Sequence, residues 1–170
     1  MKLFYIGIDN GVSGSIGIID SDRNALWFRM PVKNELSYTK EKKFINRVDL
    51  KGLAELFNSV VPLDAVIVLK IERPMVNPMR FAATMSAIRA LEATLIFFES
   101  RNIPYTYIDS KEWQKAMLPS GLKGADELKA AADSICLRLF PSIKICAGGG
   151  DSLLIAKYLF DQGRIYHDNH

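Results

Sequence analysis

A nearly unbroken apolar run at residues 65–71 (AVIVLKI) ends directly at Glu72. A run of this length and composition is typical of a β-strand that is buried on both faces of its sheet. Such strands are usually parallel to a neighbour and are joined to it by a helical crossover. The run therefore predicts an α/β fold in which helices flank a sheet.

The first 30 residues predict three more strands. Residues 3–8, 15–20 and 25–30 are short runs rich in β-branched and aromatic residues, and turn-forming residues separate them. We expect them to form an antiparallel three-strand meander. The polar stretch 33–47 has no strong periodicity and is interpreted as a surface loop, either solvated or facing an acidic partner.

Helices are predicted where apolar residues recur at helical spacing, and two of them begin with clear capping residues, Asp49 and Asn77. A fifth strand is expected at 104–108. The predicted helices have these approximate bounds: 50–57, 78–100, 128–139 and 151–160. The predicted fold class is α/β, with a mixed five-stranded sheet of an antiparallel meander plus parallel strands, flanked by helices.

Length and composition agree with one globular domain. The 170 residues (19.1 kDa) predict a single domain over 1–170, with a flexible polar tail from about 163. Hydrophobic residues make up 49% and charged residues 24%, which excludes disordered, collagen-like and coiled-coil classes. The net charge of +3 permits an acidic partner without requiring one.

Cysteine content and hydropathy bear on the compartment. Cys136 and Cys146 are the only cysteines, too few for a disulfide scaffold and without the spacing of a zinc site. The apolar stretch 3–8 is too short for a signal peptide, and no run approaches a membrane span. We therefore expect a cytoplasmic protein with no membrane partner.

Three carboxylates lie at the ends of predicted apolar elements: Asp9, Glu72 and Asp151. Each has an ordinary structural alternative. Asp9 suits a turn, Glu72 suits a salt bridge with Arg73, and Asp151 suits a helix cap. If the sheet gathers the three together, they repel one another unless cations are present. Mg²⁺ or Mn²⁺ would relieve that repulsion, and two such ions suit attack on a phosphodiester.

Three segments, in this order, resemble the RuvC-type Holliday junction resolvases: 6–14 (IGIDNGVSG), 71–74 (IERP) and 151–156 (DSLLIA). Segments 109–115 (DSKEWQK) and 123–141 are similar to the phage-like branch of that family. Together the resemblance spans nearly the whole chain. It implies a ribonuclease H-like fold.

The resemblance also implies an activity. Members of the family act as homodimers that use clustered acids and Mg²⁺ to nick opposed strands of a four-way DNA junction. By position, Asp9, Glu72 and Asp151 would be the catalytic metal ligands, with two Mg²⁺ ions per site, for which Mn²⁺ is expected to substitute. One ion would help to form the attacking hydroxide, and the other would stabilise the leaving 3′ oxygen. No small-molecule substrate is implied.

The chain departs from this family at Gly148. Members usually carry a further acid or histidine about one helical turn before the last aspartate, and here Ala147, Gly149 and Gly150 cannot replace it. Either another residue or water completes the metal shell, or the site is weakened. The departure therefore concerns activity and not the fold.

Basic residues near the three acids are expected to hold DNA phosphates, and the predicted contacts are Arg73, Arg80, Lys111, Lys115, Lys123 and Lys129. Phe81 suits stacking at a branch point, with core packing as its ordinary alternative. The helix 78–100 is the predicted dimer contact, through Ala82, Ala83, Ala87 and Ala90. His167 and His170 fall in the predicted tail and suggest no site.

Two other functions remain open. Gly148 suggests a junction-binding protein with little or no cleavage. The loop 9–14 suggests a nucleotide phosphotransferase of the actin-like superfamily, which is disfavoured because those enzymes normally need two such domains.

Overall fold

The computed structural model describes residues 2–38, 40 and 43–168. Within them, strands and helices follow one another along the chain with these bounds: β1 (Leu3–Asp9), β2 (Ser15–Asp20), β3 (Ala25–Arg29), β4 (Val32–Leu36), β5 (Phe44–Val48), α1 (Leu50–Val60), β6 (Val66–Glu72), α2 (Phe81–Ser100), β7 (Thr106–Ile108), α3 (Ser110–Met117), α4 (Gly124–Leu139) and α5 (Gly150–Asp168).

Five strands form a mixed sheet in the order β3-β2-β1-β6-β7. The pairs β1–β2 and β2–β3 are antiparallel, whereas β1–β6 and β6–β7 are parallel. The predicted α/β fold is therefore confirmed, with its antiparallel meander and parallel strands. In the parallel pair β1–β6, Ile8 lies opposite Ile71, so the two strands end at the same level of the sheet.

The two faces of the sheet are covered by different helices. Along β1, Phe4, Ile6 and Ile8 belong to the core shared with α1 and α2, which includes Phe57 and Phe98. The alternate residue Tyr5 belongs to a second core formed with α3, α4 and α5. Because successive side chains of a strand point to opposite faces, Gly7 and Asp9 lie on the face covered by α5.

The stretch 33–47, predicted as a loop, contains most of a second two-stranded sheet, and the loop prediction is wrong. β4 and β5 pair antiparallel, with Lys33 opposite Arg47. Glu35 forms an ion pair with Lys33 within β4 and another with Arg47 of β5, and the second pair stabilises the hairpin across its strands. The strand pattern was hidden because most side chains of β4 and β5 are polar or exposed, although Val48 is buried in the core.

The predicted cap at Asn77 is confirmed, because its side chain accepts a hydrogen bond from the backbone of Met79. Pro78–Arg80 form a single 3-10 turn that leads into α2, and the combined helix Pro78–Ser100 is long and apolar enough to cross a membrane. The statement that no run approaches a membrane span is therefore corrected. Here Phe97 and Phe98 of this helix are buried in the core against α1.

Two helices differ from the prediction. The segment of α3 was not predicted to be helical, although its buried Trp113 and the turn at Asp109 define it in the structure. α5 extends past Phe160, where the predicted helix ends, to Asp168. The flexible tail from about 163 stays a prediction. His170 lies outside the described residues.

Candidate active site

Asp9 and Glu72 end the two central parallel strands on the same face of the sheet. Asp9 is the last residue of β1 and Glu72 is the last of β6, directly after the paired residues Ile8 and Ile71. Both side chains are partly buried. The strand register therefore places two carboxylates on neighbouring strands, as the sequence predicts.

Asp151 reaches these two residues because α5 lies unusually close to the sheet. Gly7 and Gly17 are opposite one another in β1 and β2, and a Cβ on Gly7 would overlap the backbone oxygen of Ser152. Only glycine permits that approach. Asp151 stands in the first turn of α5, where a helix N-terminus favours a negative charge.

The glycine loop before Asp151 is held by hydrogen bonds from three elements. The Asp133 carboxylate of α4 accepts from the backbone of Gly148 (2.6 Å) and of Gly150 (3.0 Å). Trp27 Nε1 of β3 donates to Gly149 at 2.7 Å, and Ser15 of β2 contacts Ser152 at 2.8 Å. These contacts fix where α5 begins. Asp133, an acid on a helix with small apolar neighbours, was not identified from the sequence.

The three carboxylates interact strongly with one another. Burial, followed by the charges of Glu72 and Asp151, raises the pKa of Asp9 to about 8. Burial and then the charge of Glu72 raise the pKa of Asp151 to about 7. A hydrogen bond from protonated Asp9 to Glu72 also raises the pKa of Asp9. The structure thus brings together the three acids chosen from the sequence.

The donor set fits a hard divalent cation, although it is not closed around one. Among the described residues, no group of three His, Cys, Asp or Glu side chains is arranged to hold a metal ion. Asn10 supplies a further oxygen: its Nδ2 donates to Ala87, while within the described part of the chain its buried Oδ1 has no partner. Carboxylate and amide oxygens are ligands that Mg²⁺ accepts.

Glu72 is oriented by Trp113, a contact that the sequence did not reveal. Trp113 Nε1 donates to Glu72 Oε1 at 2.9 Å, and the indole is fully buried. Arg73 instead pairs with Asp109 at 3.3 Å and lies over the ring of Tyr107. The alternative of a Glu72–Arg73 salt bridge is therefore not what the structure shows.

Two adjoining clefts meet at the acids and carry several of the predicted basic residues. The first, of about 300 Å³, is lined by Asp9, Glu72, Arg73 and Arg80. The second, of about 740 Å³, is lined by Arg73, Lys111, Lys129 and Asp151. Lys111 and Lys115 also line a shallower depression on α3. Lys123 directly precedes α4.

A mixed five-stranded sheet in the order β3-β2-β1-β6-β7, flanked by helices, is the architecture of a ribonuclease H-like fold. No protein-family model matches the chain, and no curated protein matches it. Solved structures do. One is Thermus thermophilus RuvC in complex with a Holliday junction substrate, with a TM-score of 0.54, 14% identity, and coverage of 92% of this chain and 90% of that one.

A second similar structure is Thermus thermophilus RuvC, with a TM-score of 0.53 and 15% identity over 97% of this chain and 96% of that chain. The fold is therefore that of RuvC, as the resemblance implied. The assignment to a phage-like branch stays a prediction.

Proposed function

We propose that this protein is a metal-dependent, structure-selective DNA endonuclease that resolves four-way and other branched junctions. The observation that carries the proposal is the coupling of Asp9, Glu72 and Asp151 at the edge of a RuvC-like sheet. Such a cluster is costly without a cation, and a divalent cation is what phosphodiester hydrolysis requires. The structural neighbour in complex with a Holliday junction supports branched DNA as the substrate.

The chain's own residues divide the work of hydrolysis. Asp9, Glu72 and Asp151 would hold Mg²⁺ or Mn²⁺, and Trp113 keeps Glu72 in its orientation. When bound, the metal would supply Lewis-acid activation of water and stabilise the leaving oxygen. The water oxygen bonds to phosphorus as the bond to the 3′ oxygen breaks, which leaves a 5′-phosphate and a 3′-hydroxyl. No covalent intermediate is needed.

The clefts beside the acids offer a path for the phosphate backbone. Arg73 and Arg80 line the cleft that contains Asp9 and Glu72, and Arg73 and Lys111 line the cleft that contains Asp151. We propose that these residues, with Lys115 and Lys123 further along, bind phosphates without reading bases. Their positive charges also offset the repulsion between the acids and DNA.

An exposed apolar patch borders the same cleft. Met75, Val76, Met79 and Phe81 are 83%, 62%, 91% and 71% exposed. The core-packing alternative for Phe81 is therefore wrong. We propose that this patch stacks on or wedges between the unstacked bases at a branch point, which requires apolar side chains in solvent beside the scissile strand.

The direct test is incubation of the protein with an end-labelled synthetic four-way junction. We expect symmetric nicks in Mg²⁺ or Mn²⁺ and none in EDTA, with a linear duplex of the same sequence left uncut. Tight junction binding without nicks in either metal would favour the junction-binding alternative suggested by Gly148. Nucleotide hydrolysis without junction binding would favour the phosphotransferase.

We further propose that the protein acts as a homodimer through α2, because paired incision of a two-fold junction calls for two sites. Ile88 and Ile96 leave an apolar stripe on the outer face of this helix, at 39% and 55% exposure. Of the four predicted contact alanines, Ala82 and Ala83 are exposed and Ala87 is partly so. Ala90 is 2% exposed and faces the core, so its assignment is corrected.

Light scattering at micromolar concentration is expected to give about twice 19.1 kDa. Ile96→Glu should shift this value to that of a monomer, because a charge in a small apolar interface is costly. Leu63→Glu is the matched control, since Leu63 is fully exposed in the turn before β6 and is not part of α2. A wild-type monomer that makes single nicks would contradict the paired-incision model. A cytoplasmic location stays a prediction.

A further inference from the structure

Lys129 lies over Gly148, the position at which an acid was expected from the family resemblance. A Cβ built on Gly148 would lie 3.5 Å from Cδ and 3.7 Å from Nζ of Lys129. Lys129 stands on α4 one turn before Asp133, whose carboxylate accepts from the amide of Gly148. The lysine side chain therefore extends from α4 over the glycine loop towards the acids.

Lys129 acts electrostatically on the same acids that would hold the metal. It lowers the pKa of both Asp9 and Asp151, in opposition to burial and to the neighbouring carboxylates. It also lines the cleft that contains Asp151. Two other cations of this region have partners elsewhere: Arg73 pairs with Asp109, and Lys70 pairs with Glu112.

The formal charges of the cluster match one divalent ion better than two. The carboxylate of Asp133 is already held by the backbone N–H groups of Gly148 and Gly150. The three remaining carboxylates and one ammonium sum to −3 + 1 = −2, which a single Mg²⁺ neutralises. Two Mg²⁺ ions carry a charge of +4, which the three acids and a fourth carboxylate at position 148 would neutralise. With Lys129 in place of that carboxylate, two ions would leave the centre with a net positive charge. Two ions at the usual separation of about 4 Å also repel one another, so a second ion needs that carboxylate.

We propose that Lys129 takes the place of one divalent cation at this centre, so that each chain binds a single ion through Asp9, Glu72 and Asp151. This inference rests on the proposed function, since it takes the acids as a metal centre, and it replaces the two ions expected from the family. Lys129 is then a charge-compensating residue whose ammonium stays beside the scissile phosphate.

The test counts Mn²⁺ ions bound to the full chain without DNA, by electron paramagnetic resonance of free Mn²⁺. We expect one ion per chain in the wild type. Lys129→Met should keep one ion and bind it roughly tenfold more tightly, because a like charge has been removed. Lys111→Met is the matched control: Lys111 lines the same cleft, but the metal count and affinity should not change.

The double variant Lys129→Met with Gly148→Asp should bind two ions, whereas Gly148→Asp alone should bind one, because the new carboxylate pairs with Lys129. The backbone at Gly148 has φ +74°, which aspartate tolerates better than most residues, and thermal melting checks that the variant folds. Two ions on the wild type, no ion at all, or unchanged affinity in Lys129→Met would each overturn the inference, even if the double variant failed to fold.

The number of bound Mn²⁺ ions tests the single-ion centre separately from the proposed nuclease activity. A protein that binds one Mn²⁺ and leaves junctions uncut would contradict the proposed nuclease and keep the single-ion centre. A protein that cuts junctions with two bound ions would contradict the single-ion centre and keep the nuclease.

Discussion

Asp9→Asn is expected to abolish junction cleavage and to stabilise the folded protein in the absence of metal at pH 8. Asp9 carries the most strongly raised carboxyl pKa of the site, about 8, because it is buried beside Glu72 and Asp151. Asparagine keeps the shape and donates a hydrogen bond to Glu72 as the protonated acid does. It removes a metal ligand, however, so cleavage should fall by roughly a thousandfold or more, while junction binding stays equal or becomes tighter.

The direction of the pH effect follows from the raised pKa. Between about pH 4 and pH 8 the folded protein retains a proton on Asp9 that the unfolded chain has lost, so the free energy of unfolding falls as pH rises through this window. The asparagine of the variant has no such proton to lose. The variant should match the wild type near pH 4 and exceed it by on the order of 2 kcal/mol at pH 8.

Urea unfolding in EDTA at several pH values measures this difference, and the labelled junction measures cleavage. Asp64→Asn is the matched control, because Asp64 is exposed in the turn before β6, at the opposite end of the strand from Glu72. It should change neither property. Retained Mg²⁺-dependent cutting by Asp9→Asn would remove Asp9 from the metal site, and a less stable variant at pH 8 would mean that Asp9 is not buried against like charges.

The acids were predictable because each is marked by its place along the chain. Asp9 and Glu72 end apolar runs that can only be central strands, and Asp151 opens an apolar helix after three glycines. Parallel strands joined by crossovers end at one edge of a sheet, so chain order brings Asp9 and Glu72 together. Asp151 joins them through the close approach of α5 to the sheet.

The supporting contacts were not predictable, because they depend on how helices lie across the sheet. Trp113 resembles any core aromatic in the sequence, and only the packing of α3 shows that it donates to Glu72. Asp133 and Lys129 lie one turn apart on α4, and only the packing of α4 shows that both reach the loop at Gly148. The hairpin β4–β5 escaped prediction for a related reason: its strands are joined by an ion pair between Arg47 and Glu35 and carry few buried apolar residues.

The approach of α5 to the sheet makes Gly7 the position where one methyl group should have the largest effect on stability. A Cβ there would overlap the Ser152 carbonyl oxygen and would lie 2.7 Å from the Ala156 nitrogen. These are backbone atoms of a helix, so no side chain can rotate away, and the whole of α5 must move. Leu153, Leu154 and the rest of its buried face would lose their packing against β1 and β2.

We therefore expect Gly7→Ala to lower the free energy of unfolding by about 3 kcal/mol or more. The variant that is still folded should also bind Mn²⁺ more weakly, because Asp151 moves with α5. Urea unfolding and Mn²⁺ titration at low temperature measure the two effects. Gly52→Ala in α1 is the control: its Cβ would approach only the Asp49 side chain and the Pro31 ring, at 3.1 Å. Its effect should stay within about 1 kcal/mol. If Gly7→Ala were as stable as the wild type, α5 could not lie in contact with Gly7. Asp151 would then be too far from Asp9 and Glu72 to share a metal ion with them.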